Sequence, residues 1–249
     1  MALEDHRIAL LIDADNSPAS RIDKVLAEVS TYGVANIRRA YGNWKSPHLV
    51  SWEKQLHEYA IRPIQQFDYA KGKNATDMAM TIDAMDLMYS ERIDSFGIVS
   101  SDADFTPLVM RLLANGHRVF GFGEKKAPEP FVNACSKFLF LEQLGATTLE
   151  NLPDQQTPLD AAIRKTRNEL RMDTRLVRLL RDATQSCLQE DGWSYLGEIV
   201  KVVKNQASID PRNYGYATFG KLIAATELFD MEVREGSAVY LRDSGIRRK

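Results

Sequence analysis

The first 145 residues alternate short apolar runs with longer stretches of helical period, and few folds accept that order. IALLI at 8–12 is apolar throughout, as in a strand buried on both faces. SPASRIDKVLAEVSTYG at 17–33 follows with a helical pattern, Ser17 placed as N-cap, Pro18 at N1 and Gly33 as stop. The pattern then repeats. Strands are predicted in NIRRAYG (36–42), AIRPIQQF (60–67), SFGIVSS (95–101), HRVFGFG (117–123) and KFLFLEQL (137–144). Helices are predicted in PHLVSWEKQLHEYA (47–60), DMAMTIDAMDLMYS (77–90), TPLVMRLLANG (106–116) and PEPFVNACS (128–136). Pro63 marks the start or edge of its strand, and Thr106 is the expected cap of the helix opened by Pro107. Alternation of this kind builds right-handed βαβ units, hence an α/β fold with a parallel, doubly wound sheet flanked by helices.

Residues 146–160 lose the period and carry Pro153 and Pro158, so they are predicted to be a linker. The expected division is a first domain over 1–145, a linker over 146–165 and a second domain over 166–249. The second domain begins with a helical stretch predicted from 160 to 189. WSYLGEIVKVVKNQ and TFGKLIAAT are further helices, separated by the turn DPRNYGY, and two short strands close the chain around Gly236. Helices followed by a terminal hairpin predict a small winged-helix-like α+β module. Its expected core is Trp193, Leu196, Ile199, Val203, Tyr214, Phe219, Leu222, Val239 and Leu241.

Bulk properties remove several classes. No apolar run is long enough to cross a membrane as a helix, so no membrane partner is expected. MALEDHRIALLID lacks a basic n-region, so a secretory signal is not expected. Cys135 and Cys187 lie far apart and the four histidines show no metal spacing, which fits reduced thiols in a cytoplasmic protein without zinc. From Asp160 onward there are 16 basic and 13 acidic residues, against 16 and 21 upstream. Such a division suits a chain whose first part holds cations and whose second touches phosphates.

Three segments carry chemistry. LIDADN puts Asp13 at the end of the first strand, and GIVSSDADF puts Asp102 and Asp104 just after another. KGKNATDMAM puts Asp77 in the first turn of a helix. Open parallel sheets bind ligands outside the carboxyl ends of their strands, so these carboxylates are expected on one rim. Two like charges 4 Å apart repel by about 4 kcal/mol at an effective dielectric near 20. Carboxylates that converge therefore either keep protons or share a cation, and hard oxygen ligands favour Mg²⁺ or Mn²⁺. One ion or two remains open. Asp is also a leading helix cap, which is the competing role for each residue taken singly. Asp15, Asn16 and Ser17 are read as turn formers, and Asp83 and Asp86 as the solvated face of their helix.

LIDADN, KGKNATDMAM and IVSSDADFTPLVMRLLANG together resemble the NYN family, the LabA-like branch of PIN-like nucleases, over roughly residues 5–143. The resemblance implies a PIN-like fold and metal-dependent cleavage of RNA by a metal-activated water. Carried over by position, the catalytic residues and metal ligands would be Asp13, Asp77, Asp102 and Asp104. Asn16 matches a polar position beside the first aspartate, and Thr76 and Ser101 would orient carboxylates as donors. Lys71 and Lys73, around Gly72, are placed to meet phosphates. Tyr41 and Trp44, at the same rim, could stack on single-stranded bases.

DGW at 191–193, DPRNYGYATFGKLI at 210–223 and the closing hairpin resemble the LOTUS (OST-HTH) domain. That family resemblance implies binding of RNA or of a protein partner. Lys201, Lys204, Arg212 and Lys221 are the cations from which RNA contacts would come. Two alternatives stand beside the ribonuclease: an RNA-binding adaptor that cuts nothing, and a phosphatase in which Asp13 is nucleophile and Asp15 acid.

Overall fold

The computed structural model describes residues 6–67, 74–90, 92–145 and 164–245. The chain divides into two compact units, Met1–Gly145 and Ala146–Lys249. The predicted linker over 146–165 lies outside the described residues except for its last two positions.

The first unit runs β1 (Arg7–Asp13), α1 (Ile22–Val29), β2 (Val34–Gly42), α2 (Val50–Glu58), β3 (Arg62–Gln65), α3 (Ala75–Ser90), β4 (Ser95–Val99), α4 (Thr106–Ala114), β5 (Arg118–Gly123), α5 (Glu129–Ala134) and β6 (Lys137–Phe140). The strands form one six-stranded sheet in the order β3-β2-β1-β4-β5-β6, every neighbouring pair parallel. This is the predicted α/β architecture. Pro63 falls in β3, at the sheet's edge, where its missing N–H costs no ladder bond. Strand alternation sorts the core into two layers. Ala9 and Leu11 of β1 face one cluster with Met80, Ala84, Leu108 and Phe131 of α3, α4 and α5. Ile8, Leu10 and Ile12 face the other, with Ile22, Val25 and Trp52 of α1 and α2. The same parity sends Asp13 toward the α3 side.

Two predicted caps are corrected. Pro18, not Ser17, precedes the short 3-10 turn Ala19–Arg21 that leads into α1. The Ser17 hydroxyl instead donates to the Val99 carbonyl at 3.2 Å, tying the β1 exit to that of β4. Ahead of α4, Asp102 caps the 3-10 turn Ala103–Phe105 by accepting from the Asp104 amide, while Thr106 donates back to the Ala103 carbonyl at 2.6 Å. β6 ends at Phe140, four residues short of the predicted strand, because 141–145 turn back on themselves.

The second unit runs α6 (Arg167–Met172), α7 (Thr174–Ser186), β7 (Ser194–Tyr195), α8 (Leu196–Gln206), α9 (Phe219–Thr226), β8 (Phe229–Arg234) and β9 (Ala238–Asp243). Its sheet is antiparallel in the order β7-β9-β8. The single helix predicted up to 189 is two, because Asp173 ends α6 and caps α7 by accepting from the Leu176 amide. Thr166 and Glu169 form a reciprocal capping box at the start of α6. Ile199, Val203, Phe219, Leu222 and Leu241 are core as predicted, and Leu196, Tyr214 and Val239 pack around them. Trp193 is not core. Its parity with Tyr195 puts it on the sheet face away from the helices, where the Arg234 and Arg242 guanidinium groups lie 5.5 and 4.6 Å from its ring. Gly215, at φ +81°, makes the left-handed turn that closes the 3-10 turn Pro211–Tyr214. Among the described residues no helix is long and apolar enough to cross a membrane.

Candidate active site

The strand order reverses direction between β1 and β4. Such a switch point opens a crevice at the carboxyl ends of the two central strands. Asp13 ends β1 there and is fully buried. A buried carboxylate needs donors, and it has them: Ser100 Oγ at 2.8 Å, the Asn16 amide at 3.2 Å and Asn16 Nδ2 at 3.1 Å. Burial raises the pKa of Asp13, and these bonds, Ser100 first, pull against it.

Ser100 follows β4 directly. Its amide donates to the Phe122 carbonyl at 2.9 Å, and its hydroxyl also accepts from the Asp102 amide at 3.1 Å. Gly123 makes this closeness possible, since a Cβ there would sit 2.4 Å from the Ser100 carbonyl oxygen. One hydroxyl thus joins Asp13 to the segment bearing Asp102 and Asp104. Ser101, predicted as the orienting donor, instead accepts from the Glu124 amide at 2.8 Å. The donor to a carboxylate is its neighbour Ser100, distinguished only by following an apolar strand residue inward.

α3 is the crossover from edge strand β3 to central β4, and it packs on β1 and β2 with its first turn over the acidic rim. Thr76 Oγ1 donates to Asp15 Oδ2 at 2.9 Å, so it does orient a carboxylate, but that of Asp15, which sequence reasoning read as a turn former. Gly42 leaves the space for it, because a Cβ there would meet Asp15 Oδ1 at 3.3 Å. Asn74 Nδ2 donates to Asp104 Oδ2 at 2.8 Å, linking α3's entry to the turn after β4. Asp77, half-buried in the first turn of α3, has its pKa raised to about 6. Burial is the larger cause, followed by the charges of Asp13, Asp102, Asp104 and Asp15. Five carboxylates therefore share one field. Among the described residues no Lys, Arg or His pairs with any of them, and no three acidic, cysteine or histidine side chains close tightly enough to enclose a metal ion as they stand.

Asp83 is not on a solvated face. It accepts from Arg39 and from the buried Tyr41 hydroxyl, fastening the middle of α3 to β2. That removes Tyr41 as a stacking ring. The Trp44 indole is half-buried, and its Nε1 donates to the Ile64 carbonyl at 3.0 Å. Lys71 and Lys73 lie outside the described residues. In the second unit Lys201, Lys204 and Lys221 are exposed, Lys204 resting 5.9 Å from the Phe219 ring. Arg212 is held by Asp210, itself buried, which engages its guanidinium at 2.9 and 3.1 Å.

Side-chain nucleophiles are poorly placed. Cys135 is buried, and burial pushes its thiol up to about 12. His6 Nε2 and Ser95 Oγ are 2.7 Å apart, but at the amino ends of β1 and β4, where Ser95 is fully buried. What the acidic rim offers is a set of oxygen ligands of the kind hard divalent cations take.

The chain matches the NYN domain over residues 7–142 and the OST-HTH/LOTUS domain over residues 171–240. An uncharacterized protein of Methanocaldococcus jannaschii is 31% identical over 123 residues, a stretch covering 48% of either chain. The matched part is thus about half of that relative's length. A protein of unknown function from Vibrio parahaemolyticus has a crystal structure similar to 55% of this chain and 94% of its own, at 18% identity and a TM-score of 0.45. A solution structure of an uncharacterized Nitrosomonas europaea protein covers 42% of this chain and 91% of its own, at 24% identity and a TM-score of 0.26.

Proposed function

We infer the activity of this chain from what it is, a member of the NYN domain family with an OST-HTH/LOTUS domain behind it. It is a divalent-metal-dependent ribonuclease whose second unit holds RNA. The observation that carries this reading is the meeting of Asp13, Asp77, Asp102 and Asp104 at one switch point, with no cationic side chain among the described residues paired to them. Their donor set fits Mg²⁺ or Mn²⁺, which would be held by these four residues and would supply a water of lowered pKa and a counter-charge for the phosphate.

The chain's own groups prepare the site. Ser100 and Asn16 fix the direction of Asp13, and Thr76 fixes Asp15. Asp102 shapes the turn that presents Asp104. Water is the attacking group, because among the described residues no exposed, activated serine or cysteine stands at this rim. Single-stranded RNA is the proposed substrate, its bases and backbone being reachable without opening a duplex.

Asp102→Asn is expected to lower Mn²⁺-dependent cleavage of single-stranded RNA at least about 100-fold, since it removes one metal-ligating oxygen charge. A variant that cuts as fast as wild type would sink the ribonuclease. The other reading is an RNA-binding adaptor that keeps both domains and cuts nothing. It would bind RNA equally with and without Mn²⁺ and release no fragments. The phosphatase reading requires Asp15→Ala, and not Asp77→Ala, to abolish phosphomonoester hydrolysis.

A further inference from the structure

The carboxyl rim continues past the acidic side chains to the exits of β2 and β3, and there it becomes aromatic and basic. Phe67, two residues beyond β3, is 46% exposed. The Lys45 ammonium lies 5.0 Å from the centre of its ring. Their surroundings are fixed by hydrogen bonds. Gln65 Oε1 accepts from the Trp44 amide at 3.1 Å, and Gln65 Nε2 donates to Asn43 Oδ1 at 3.1 Å. Trp44 Nε1 is held by the Ile64 carbonyl. The turn carrying Lys45 is thereby stapled to the exit of β3, and Phe67 belongs to neither core layer.

We propose that Phe67 and Lys45 are a landing platform for single-stranded RNA, the ring stacking on a base and the ammonium meeting a neighbouring phosphate. This rests on the ribonuclease reading of the acidic rim. A phenyl face accepts any base, so such a platform is sequence-tolerant. Its base must be unpaired, which selects a single strand over a duplex. Position supports the same occupant. Parallel strands lie ~4.8 Å apart, so β3 stands about 10 Å from β1 across the rim. That is roughly three stacked nucleotides at ~3.4 Å each, close enough for one strand to touch both the platform and Asp13's crevice. Charge points the same way. Five carboxylates repel a polyanion, and Lys45 supplies an attraction on the flank where the strand must be held. Among the described residues, Tyr41 is buried and bonded to Asp83 and Trp44 is anchored by its N–H, while Phe67 is exposed.

The test is fluorescence anisotropy of a short, unstructured, labelled RNA with the full chain in EDTA, so that nothing is cut. Phe67→Ala and Phe67→Leu are expected to weaken binding about tenfold, and Phe67→Trp to retain it. Lys45→Gln should reduce the slope of log affinity against log salt by about 0.7. Affinity for duplex RNA should not change in any variant. Ultraviolet crosslinking of the same strand should label the peptide containing Phe67. Unchanged single-strand affinity in Phe67→Ala, or no crosslink in that peptide, overturns the platform. The two readings separate cleanly: a wild type that binds through Phe67 but never cleaves in Mn²⁺ keeps the platform and loses the ribonuclease, and one that cleaves while Phe67→Ala binds normally does the reverse.

Discussion

At Asp77 the raised pKa turns the acidic rim into a measurable instability. Burial and four neighbouring carboxylates hold the group's folded value at about 6, above the ordinary 3.8. The folded state therefore binds the proton more tightly than the unfolded chain. The stability this lends is fully present below about pH 4 and is lost as pH rises through about 6. In EDTA, Asp77→Asn should melt about 2 °C above wild type at pH 7 and show no such gain at pH 4, as read by circular dichroism. A gain at pH 4 as large as at pH 7 would contradict the charge argument. The thiols make a second contrast. Cys135 is buried with its thiol pushed up to about 12, whereas Cys187 is half-buried on α7's end. A chromogenic disulfide reagent should therefore titrate one thiol in the native protein and two after denaturation. At this scale the sequence was partly transparent. Asp13 and Asp102 were legible from their strand ends, because apolar runs announce where a strand stops. Ser100, Asp15 and Asn74 were not, because a hydroxyl or amide acquires its role from the partner that another strand or helix brings to it.

Among the elements, α3 matters most, since it spans the sheet from β3 to β4 and brings Asp77 to the rim. It is held by packing of Met80, Ala84 and Leu87 and by Asp83, which gathers Arg39 and Tyr41 of β2. Burial first, then Asp83, lifts the Tyr41 hydroxyl pKa, so the proton stays in this bond. Asp83→Ala leaves a guanidinium and a buried hydroxyl without their acceptor and should cost about 2 kcal/mol in urea unfolding. Tyr41→Phe should cost about 1 kcal/mol. If Asp83→Ala left the urea midpoint unmoved, the clamp would have no energetic content. Strand and helix order was readable throughout the first unit, because each βα unit carries its own period and its own Pro or Gly punctuation. Caps were misassigned where the real constraint was tertiary. Ser17 gives its hydroxyl to β4, and Asp102 takes over the turn ahead of Thr106. The break at Asp173 hid within a run of good helix formers because an Asp can cap as readily as it can sit on a solvated face.

For the whole molecule, the decisive fact is that the two units have separate cores. The two apolar layers around the six-stranded sheet lie wholly within the first, and the third cluster wholly within the second. Removing residues 160–249 is accordingly expected to leave Mn²⁺ binding by the first unit intact and to weaken RNA binding. Equal RNA affinity after truncation would deny the second unit its role. The fold class of the parallel sheet was plain from alternation alone, while the second unit was recognisable mainly through DGW and DPRNYGYATFGKLI. The sequence expects Trp193 in the core because large aromatics are highly buried on average, and the arginines of β8 and β9 are what make its half-buried position outside the core tenable. That position has a spectroscopic use. The chain's three tryptophans divide between the units, with Trp44 and Trp52 in the first and Trp193 in the second, its indole lying against two cations. A Trp44→Phe, Trp52→Phe chain would thus glow from the second unit alone, and its emission would report unfolding or RNA capture there while the acidic rim remained dark.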